Sequence, residues 1–106
     1  MYVQNFFDSS GNWIAFRKDG FVYSTDGEWI GWLPWDDEDV FDPHGQYLGT
    51  VFDGNRLYYD PSKPYRGYPG YPSSPGYPGY PGNPGYAGYS PLPPGTRDLA
   101  LTKVSR

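Results

Sequence analysis

Gly27-Glu28-Trp29-Ile30-Gly31 is the stretch that decides how this chain folds, because it recurs as Gly11-Asn12-Trp13-Ile14-Ala15 and as Gly45-Gln46-Tyr47-Leu48-Gly49. Each instance reads glycine, polar, aromatic, branched aliphatic, small. Asp8, Asp26, Asp42 and Asp60 stand 18, 16 and 18 residues apart, three of them ahead of a phrase and the last ahead of an altered one. So short a period marks a repeated supersecondary unit that buries its apolar face only against its neighbours.

The residues before each phrase make turns. Asp8-Ser9-Ser10-Gly11 and Asp42-Pro43-His44-Gly45 place aspartate first and glycine fourth, the type I preference, and Pro43 presets φ at the second position. Asp26-Gly27 and Asp19-Gly20 read as two-residue hairpin turns, whose central positions both need positive φ. Asp53-Gly54-Asn55 marks a further reversal. Between these signals lie Val, Ile, Phe, Tyr and Trp, which predicts short antiparallel strands near 3–7, 13–17, 21–24, 29–33, 40–41, 47–52 and 56–59. Helix has almost no support before residue 96.

Period-two alternation puts Trp13 with Ala15, Trp29 with Gly31 and Tyr47 with Gly49 on one face, leaving Ile14, Ile30 and Leu48 on the other. A small residue two places after each aromatic points to close backbone approach around a shared axis, since glycine in a strand otherwise only weakens it. The fourth unit, Asp60-Pro61-Ser62-Lys63-Pro64-Tyr65-Arg66-Gly67, keeps the Asp-Pro opening, the aromatic and the small residue. Its prolines lack the N–H of a ladder, so an edge strand or a slightly open ring is expected there.

These residues carry a resemblance. Four hairpin units with the phrase Phe-Asp-x-x-Gly-x-Trp-Ile-Gly, the run Trp29-Ile30-Gly31-Trp32-Leu33-Pro34-Trp35, then Gly45-Gln46-Tyr47-Leu48-Gly49-Thr50 and a tail ending Gly88-Tyr89-Ser90-Pro91-Leu92-Pro93-Pro94-Gly95 make the chain similar to the bacterial 4-fold β-flower family. The resemblance implies an all-β fold of four β-hairpin repeats of about 17 residues around a pseudo-fourfold axis, shallow and barrel-like, followed by an extended Pro/Gly/Tyr-rich tail. The family is functionally uncharacterised, so the resemblance implies no activity. The expected division is a four-hairpin domain over 1–67, a Gly-Tyr-Pro low-complexity tail over 68–95 and a short segment over 96–106, in which Leu99, Leu101 and Val104 add a strand or a short helix.

Composition sets the outer bounds. In 106 residues there is room for one domain, and 11 of the 13 prolines fall after residue 60, so the front part must hold the core. With no cysteine there is neither a disulfide framework nor thiol chemistry. Residues 1–60 carry three basic and eleven acidic side chains (net −8) and residues 61–106 carry five and one (net +4). An acidic front argues against nucleic acid as a partner, and a basic tail can lie across it. The N-terminal residues show neither the basic flank nor the apolar run of a secretory signal, and no stretch is apolar enough for a transmembrane segment, so a cytoplasmic protein is expected.

Catalytic chemistry finds little to work with. The consecutive acids Asp36-Asp37-Glu38-Asp39 lack the alternating spacing and the glycine of a calcium loop and read as a solvated connection. His44, the one histidine, is the third residue of a turn. No serine or threonine has an evident base, and no glycine run has the lysine or the spacing of a nucleotide-binding loop. No catalytic residue, metal site or cofactor is expected, and the chain is read as a non-enzyme.

The aromatics remain. Trp13, Trp29, Trp32, Trp35 and Tyr47 read first as core packing for a small β-domain without disulfides. The alternative makes them a ligand- or partner-binding face, with Trp35 the most exposed. Tail prolines favour polyproline II and turns, which suits a mobile linker, but Tyr68, Tyr71, Tyr77, Tyr80, Tyr86 and Tyr89 are ill-suited to a pure spacer and offer amphipathic surface for docking, homo-oligomerisation or a protein partner. The leading reading is therefore a noncatalytic interaction or scaffold module whose tail mediates self-association or partner binding. The second is a small-ligand domain with an aromatic-lined, pseudo-symmetric pocket for lipid or carbohydrate.

Overall fold

The computed structural model describes residues 3–35, 37–64, 66–70, 73, 75–76 and 78–99. Eight strands follow one another: β1 (Gln4–Phe7), β2 (Trp13–Lys18), β3 (Phe21–Ser24), β4 (Trp29–Trp32), β5 (Asp39–Phe41), β6 (Tyr47–Phe52), β7 (Arg56–Tyr59) and β8 (Arg97–Asp98). Each pairs antiparallel with the next, and Phe7 of β1 pairs in parallel with Arg56 of β7, which closes seven strands into a ring. β8 adds to the other end of the same β7 edge, through Tyr58 opposite Asp98 and Tyr59 opposite Arg97. There is no helix among the described residues.

One hairpin is built three times. In the turn at Asp8, the Gly11 N–H donates to the Asp8 carbonyl at 3.0 Å, and at Asp42 the Gly45 N–H donates to the Asp42 carbonyl at 3.0 Å. Gly11 and Gly45 sit at φ 94° and 90°, so each turn ends on a left-handed glycine and a bulge, which is why glycine is required fourth. The middle hairpin corrects the expected register. Asp26-Gly27 is not a two-residue turn; Ser24 takes the first position, with the Gly27 N–H on the Ser24 carbonyl at 2.9 Å and Gly27 at φ 89°. Asp8 Oδ1, Ser24 Oγ and Asp42 Oδ1 each accept the N–H four residues on, from Asn12, Glu28 and Gln46. The equivalent residue in the second unit is thus a serine, with Asp26 accepting from its hydroxyl. Asp19-Gly20, between units, does have positive φ at both positions, 56° and 84°.

The repeated small residue faces a large one. Phe6 lies opposite Ala15, Val22 opposite Gly31 and Val40 opposite Gly49. A Cβ on Gly31 would come within 2.8 Å of the Phe41 carbonyl oxygen, and one on Gly49 within 2.9 Å of that of Tyr58, so neighbouring strands approach backbone to backbone at these positions. Phe6, Ala15, Val22, Ile30, Leu33, Val40, Val51 and Leu57 form the core, with Ile14, Leu48 and Leu99 packed on it. Burying each large side chain among them contributes about 1.5–3 kcal/mol against chain entropy.

The fourth hairpin differs from expectation. Asp60 opens a turn, its Oδ1 accepting the Ser62 N–H at 3.0 Å, but the described residues of 60–70 form no strand, as Pro61 and Pro64 dictate. Among the described residues the next strand after β7 is β8 at Arg97, so the Gly-Tyr-Pro tract lies inside the last hairpin as a long connection. Continuing the β7–β8 register puts Leu99 opposite Leu57, where the other units have Ala15, Gly31 and Gly49. Ser9, in the first turn, donates its N–H and hydroxyl to the two oxygens of Asp98 at 2.8 and 2.6 Å. The end of the fold is thereby tied to its beginning.

Candidate functional site

The five aromatics singled out in the sequence are half-buried around the rim of the ring. Trp13 stacks on Phe16 (centroids 6.3 Å) and meets the edge of Tyr80 (6.0 Å). Trp29 packs edge-on to Phe21 and donates its Nε1–H to the Gly31 carbonyl at 2.8 Å. Tyr47 lies between Phe41 and Tyr59. Trp32 stands opposite Phe21 and Phe41. Trp35 is not the exposed ring the flanking acids suggested: it packs on Phe41 at 5.0 Å and is covered by the Arg66 guanidinium at 4.4 Å. Among the described residues Trp13 and Tyr47 line separate clefts, and Trp29 lines neither of them.

The tract from 66 to 95 crosses this rim and completes both clefts. All eight of its glycines have positive φ, between 84° and 93°, a left-handed conformation that glycine adopts without strain. Its main chain is fastened at three places. The Ala87 N–H donates to the Gly11 carbonyl (2.9 Å), the Ser90 N–H to the Ser9 carbonyl (2.8 Å), and Lys18 Nζ to the Pro78 carbonyl (3.0 Å). A Cβ on Gly11 would fall 2.5 Å from the Gly88 carbonyl oxygen, so the first turn glycine also gives the tract room to pass. Arg56, buried at the ring closure, donates to the Asp8 carbonyl at 2.8 Å and reaches the Ala87 carbonyl at 3.4 Å.

Four rings of the tract remain outward: Tyr68, Tyr80, Tyr86 and Tyr89 are 63%, 61%, 72% and 73% exposed. Tyr71 and Tyr77 lie outside the described residues.

The tract also supplies charge. Asp39 is not part of a solvated connection: it is 6% exposed on β5, while Asp37 and Glu38 are open to water and Asp36 lies outside the described residues. Lys63 approaches Asp39 Oδ1 at 3.2 Å, Arg66 approaches Oδ2 at 3.1 Å, and Thr50 donates to Oδ1 at 2.9 Å. Arg66 also meets Asp37 at 2.7 Å. Slight desolvation pushes the Asp37 carboxyl up, but the Asp39 N–H and the hydrogen bond and charge of Arg66 hold it below its ordinary value. Burial raises the Tyr47 hydroxyl, with hydrogen bonds from Thr50 and the Asp60 N–H pulling against it and the charges of Asp39 and Asp60 adding to it. A paired carboxylate of this kind anchors a loop; it offers no open coordination for a metal, and no three metal-binding side chains meet among the described residues.

His44 is exposed, and its N–H is held by Asp42 Oδ1 at 2.9 Å. No helix among the described residues is long and apolar enough to cross a membrane. Sequence reasoning missed Asp39, Asp98, Asn83 and Arg56, the residues that fix or line the path of the tract. A family model described as 4-fold beta flower protein matches residues 1–98, and the chain belongs to that family. No curated protein and no solved structure matches it.

Proposed function

We propose that this 4-fold beta flower protein is a noncatalytic interaction module that displays a tyrosine-rich strap for association with further copies of the chain. The observation that carries the reading is the combination of a main chain pinned to the ring with Tyr68, Tyr80, Tyr86 and Tyr89 turned outward. Tyrosines held this way contribute amphipathic contact area while losing little further entropy on binding, which a mobile linker would not do. A noncatalytic role is supported by the engagement of the polar groups: the Ser9 hydroxyl is committed to Asp98, and His44 sits in an exposed turn.

Sedimentation velocity from about 10 μM to about 1 mM tests this. The wild type is expected to sediment faster as concentration rises, and the double substitution Tyr68→Ser/Tyr89→Ser to remain a monomer with an unchanged circular dichroism spectrum. A wild type that stays monomeric throughout, or a variant that associates as well as the wild type, overturns the proposal.

A further inference from the structure

Among the clefts formed by the described residues, one at the first and second turns has an uncharged lining. It is an open groove of ≈ 540 Å³ between the first two hairpins and the strap, lined by Asn12, Trp13, Thr25, Tyr80, Asn83 and Tyr86 together with Gly11 and Gly85. That volume lies within the range of small-molecule sites. Its lining holds no Asp, Glu, Lys, Arg or His. Three further clefts among the described residues carry charge: Asp60, Lys63 and Arg66 beside Tyr47, Lys18 and Asp19 beside Tyr23, and Arg17 and Asp19 beside Gln4.

We infer that this cleft is a binding site for a neutral saccharide. Trp13, Tyr80 and Tyr86 surround it with aromatic surface, and the two tyrosines keep most of that surface free, at 61% and 72% exposure. Asn83 spends its Oδ1 on the Gly85 N–H at 2.8 Å, which fixes the amide and leaves the two N–H groups of Nδ2 for a ligand. The side-chain groups of Asn12 and Thr25 make no hydrogen bond among the described residues. Ring faces with amides and a hydroxyl at their edges suit a molecule with apolar C–H faces and a hydroxyl rim. A lipid chain would strip water from these amides without replacing their hydrogen bonds, and a charged ligand finds no counter-charge. The cleft exists only because the strap is fastened at Ala87 and Lys18, so the site is composite, half ring and half strap.

Titration of the full, isotopically labelled chain with maltose, cellobiose and diacetylchitobiose, followed by amide and indole N–H cross-peaks, tests the inference. At least one disaccharide is expected to move the Trp13 indole and Asn83 side-chain signals saturably, with a dissociation constant on the order of 1 mM. Tyr86→Ala, at an exposed ring, and Asn83→Ala should each weaken it by about fivefold or more without altering the remaining spectrum. Absence of saturable shifts with all three sugars up to about 50 mM, shifts centred on Trp35 and Tyr47, or equal affinity in both variants each overturn it. Tyr68 and Tyr89 lie outside the cleft, so the variant that tests association leaves sugar binding intact, and either proposal can fail alone.

Discussion

Replacing Asp98 by alanine tests whether the return of the chain after the strap closes the fold. Asp98 accepts two hydrogen bonds from Ser9, from the N–H at 2.8 Å and from the hydroxyl at 2.6 Å, and Ser9 is 8% exposed. A hydrogen bond to a charged group contributes a net ~1.5–3 kcal/mol, and this partly buried pair belongs at the lower end. Asp98→Ala removes both bonds and leaves a shielded N–H without a partner, so a loss of about 3 kcal/mol is expected. Ser9→Ala removes only the hydroxyl bond and should lose about 1.5 kcal/mol. Because both changes delete the same hydroxyl–carboxylate contact, the double variant should lose less than the sum, with a coupling of about 1 kcal/mol or more. Urea unfolding monitored by tryptophan fluorescence reads these values; with a slope of about 1 kcal/mol per molar, the Asp98→Ala midpoint falls by roughly 2–3 M. A shift below about 0.5 M, or strict additivity, would show that the ring is stable without its eighth strand.

Other perturbations address other parts. Gly31→Ala and Gly49→Ala should each cost about 1–3 kcal/mol by overpacking against a backbone carbonyl, whereas Gly20→Ala, with open space but φ of 84°, should cost only the left-handed strain of ~1 kcal/mol; equal midpoints for all three would refute the packing account. Arg66→Gln should let the Asp37 carboxyl titrate closer to its ordinary value, as read by carboxyl carbon shifts. Because folding depresses this group, the stability it adds is present above the ordinary carboxylate value and disappears as pH falls through the depressed one, so wild type and Arg66→Gln should converge in strongly acidic urea melts. Gly11→Val, which puts a branched side chain where the Gly88 backbone passes, should detach the strap and raise amide exchange at Ala87 and Ser90 far more than in β5 and β6; uniform protection would refute the fastening.

Seven strands were legible because each is bounded by turn residues that the backbone geometry demands and filled by alternating apolar side chains. The pairing of a large residue with Ala15, Gly31 or Gly49 was visible for the same reason, since only close approach explains glycine there. The turn at Ser24 was misjudged because serine and aspartate satisfy the same N–H, and Asp26-Gly27 imitates a different turn. An added strand or short helix was expected over 96–106, and β8 is the strand, with Leu101 and Val104 outside the described residues; its place as the missing half of the last hairpin was obscured because Arg97-Asp98-Leu99 has neither the aromatic nor the small residue of the phrase and follows a low-complexity tract. Leu99 fills from its own side chain the space that the other units close by backbone contact. The burial of Asp39 depends on Lys63 and Arg66, whose approach is a matter of tertiary path and not of local pattern. The neutral cleft was likewise hidden, because nothing in Gly-Tyr-Pro reveals over which hairpin the tract bends.

Placing the tract within the last hairpin gives it two fixed ends. The entropy of closing a loop grows only with the logarithm of its length, so inserting one more Gly-Tyr-Pro step would cost roughly 0.1 kcal/mol. The number of rings on show is therefore almost independent of the stability of the barrel beneath. A protease cutting among them would leave two polypeptides still clasped through β7, β8 and the Ser9–Asp98 bonds, and only denaturant would part them.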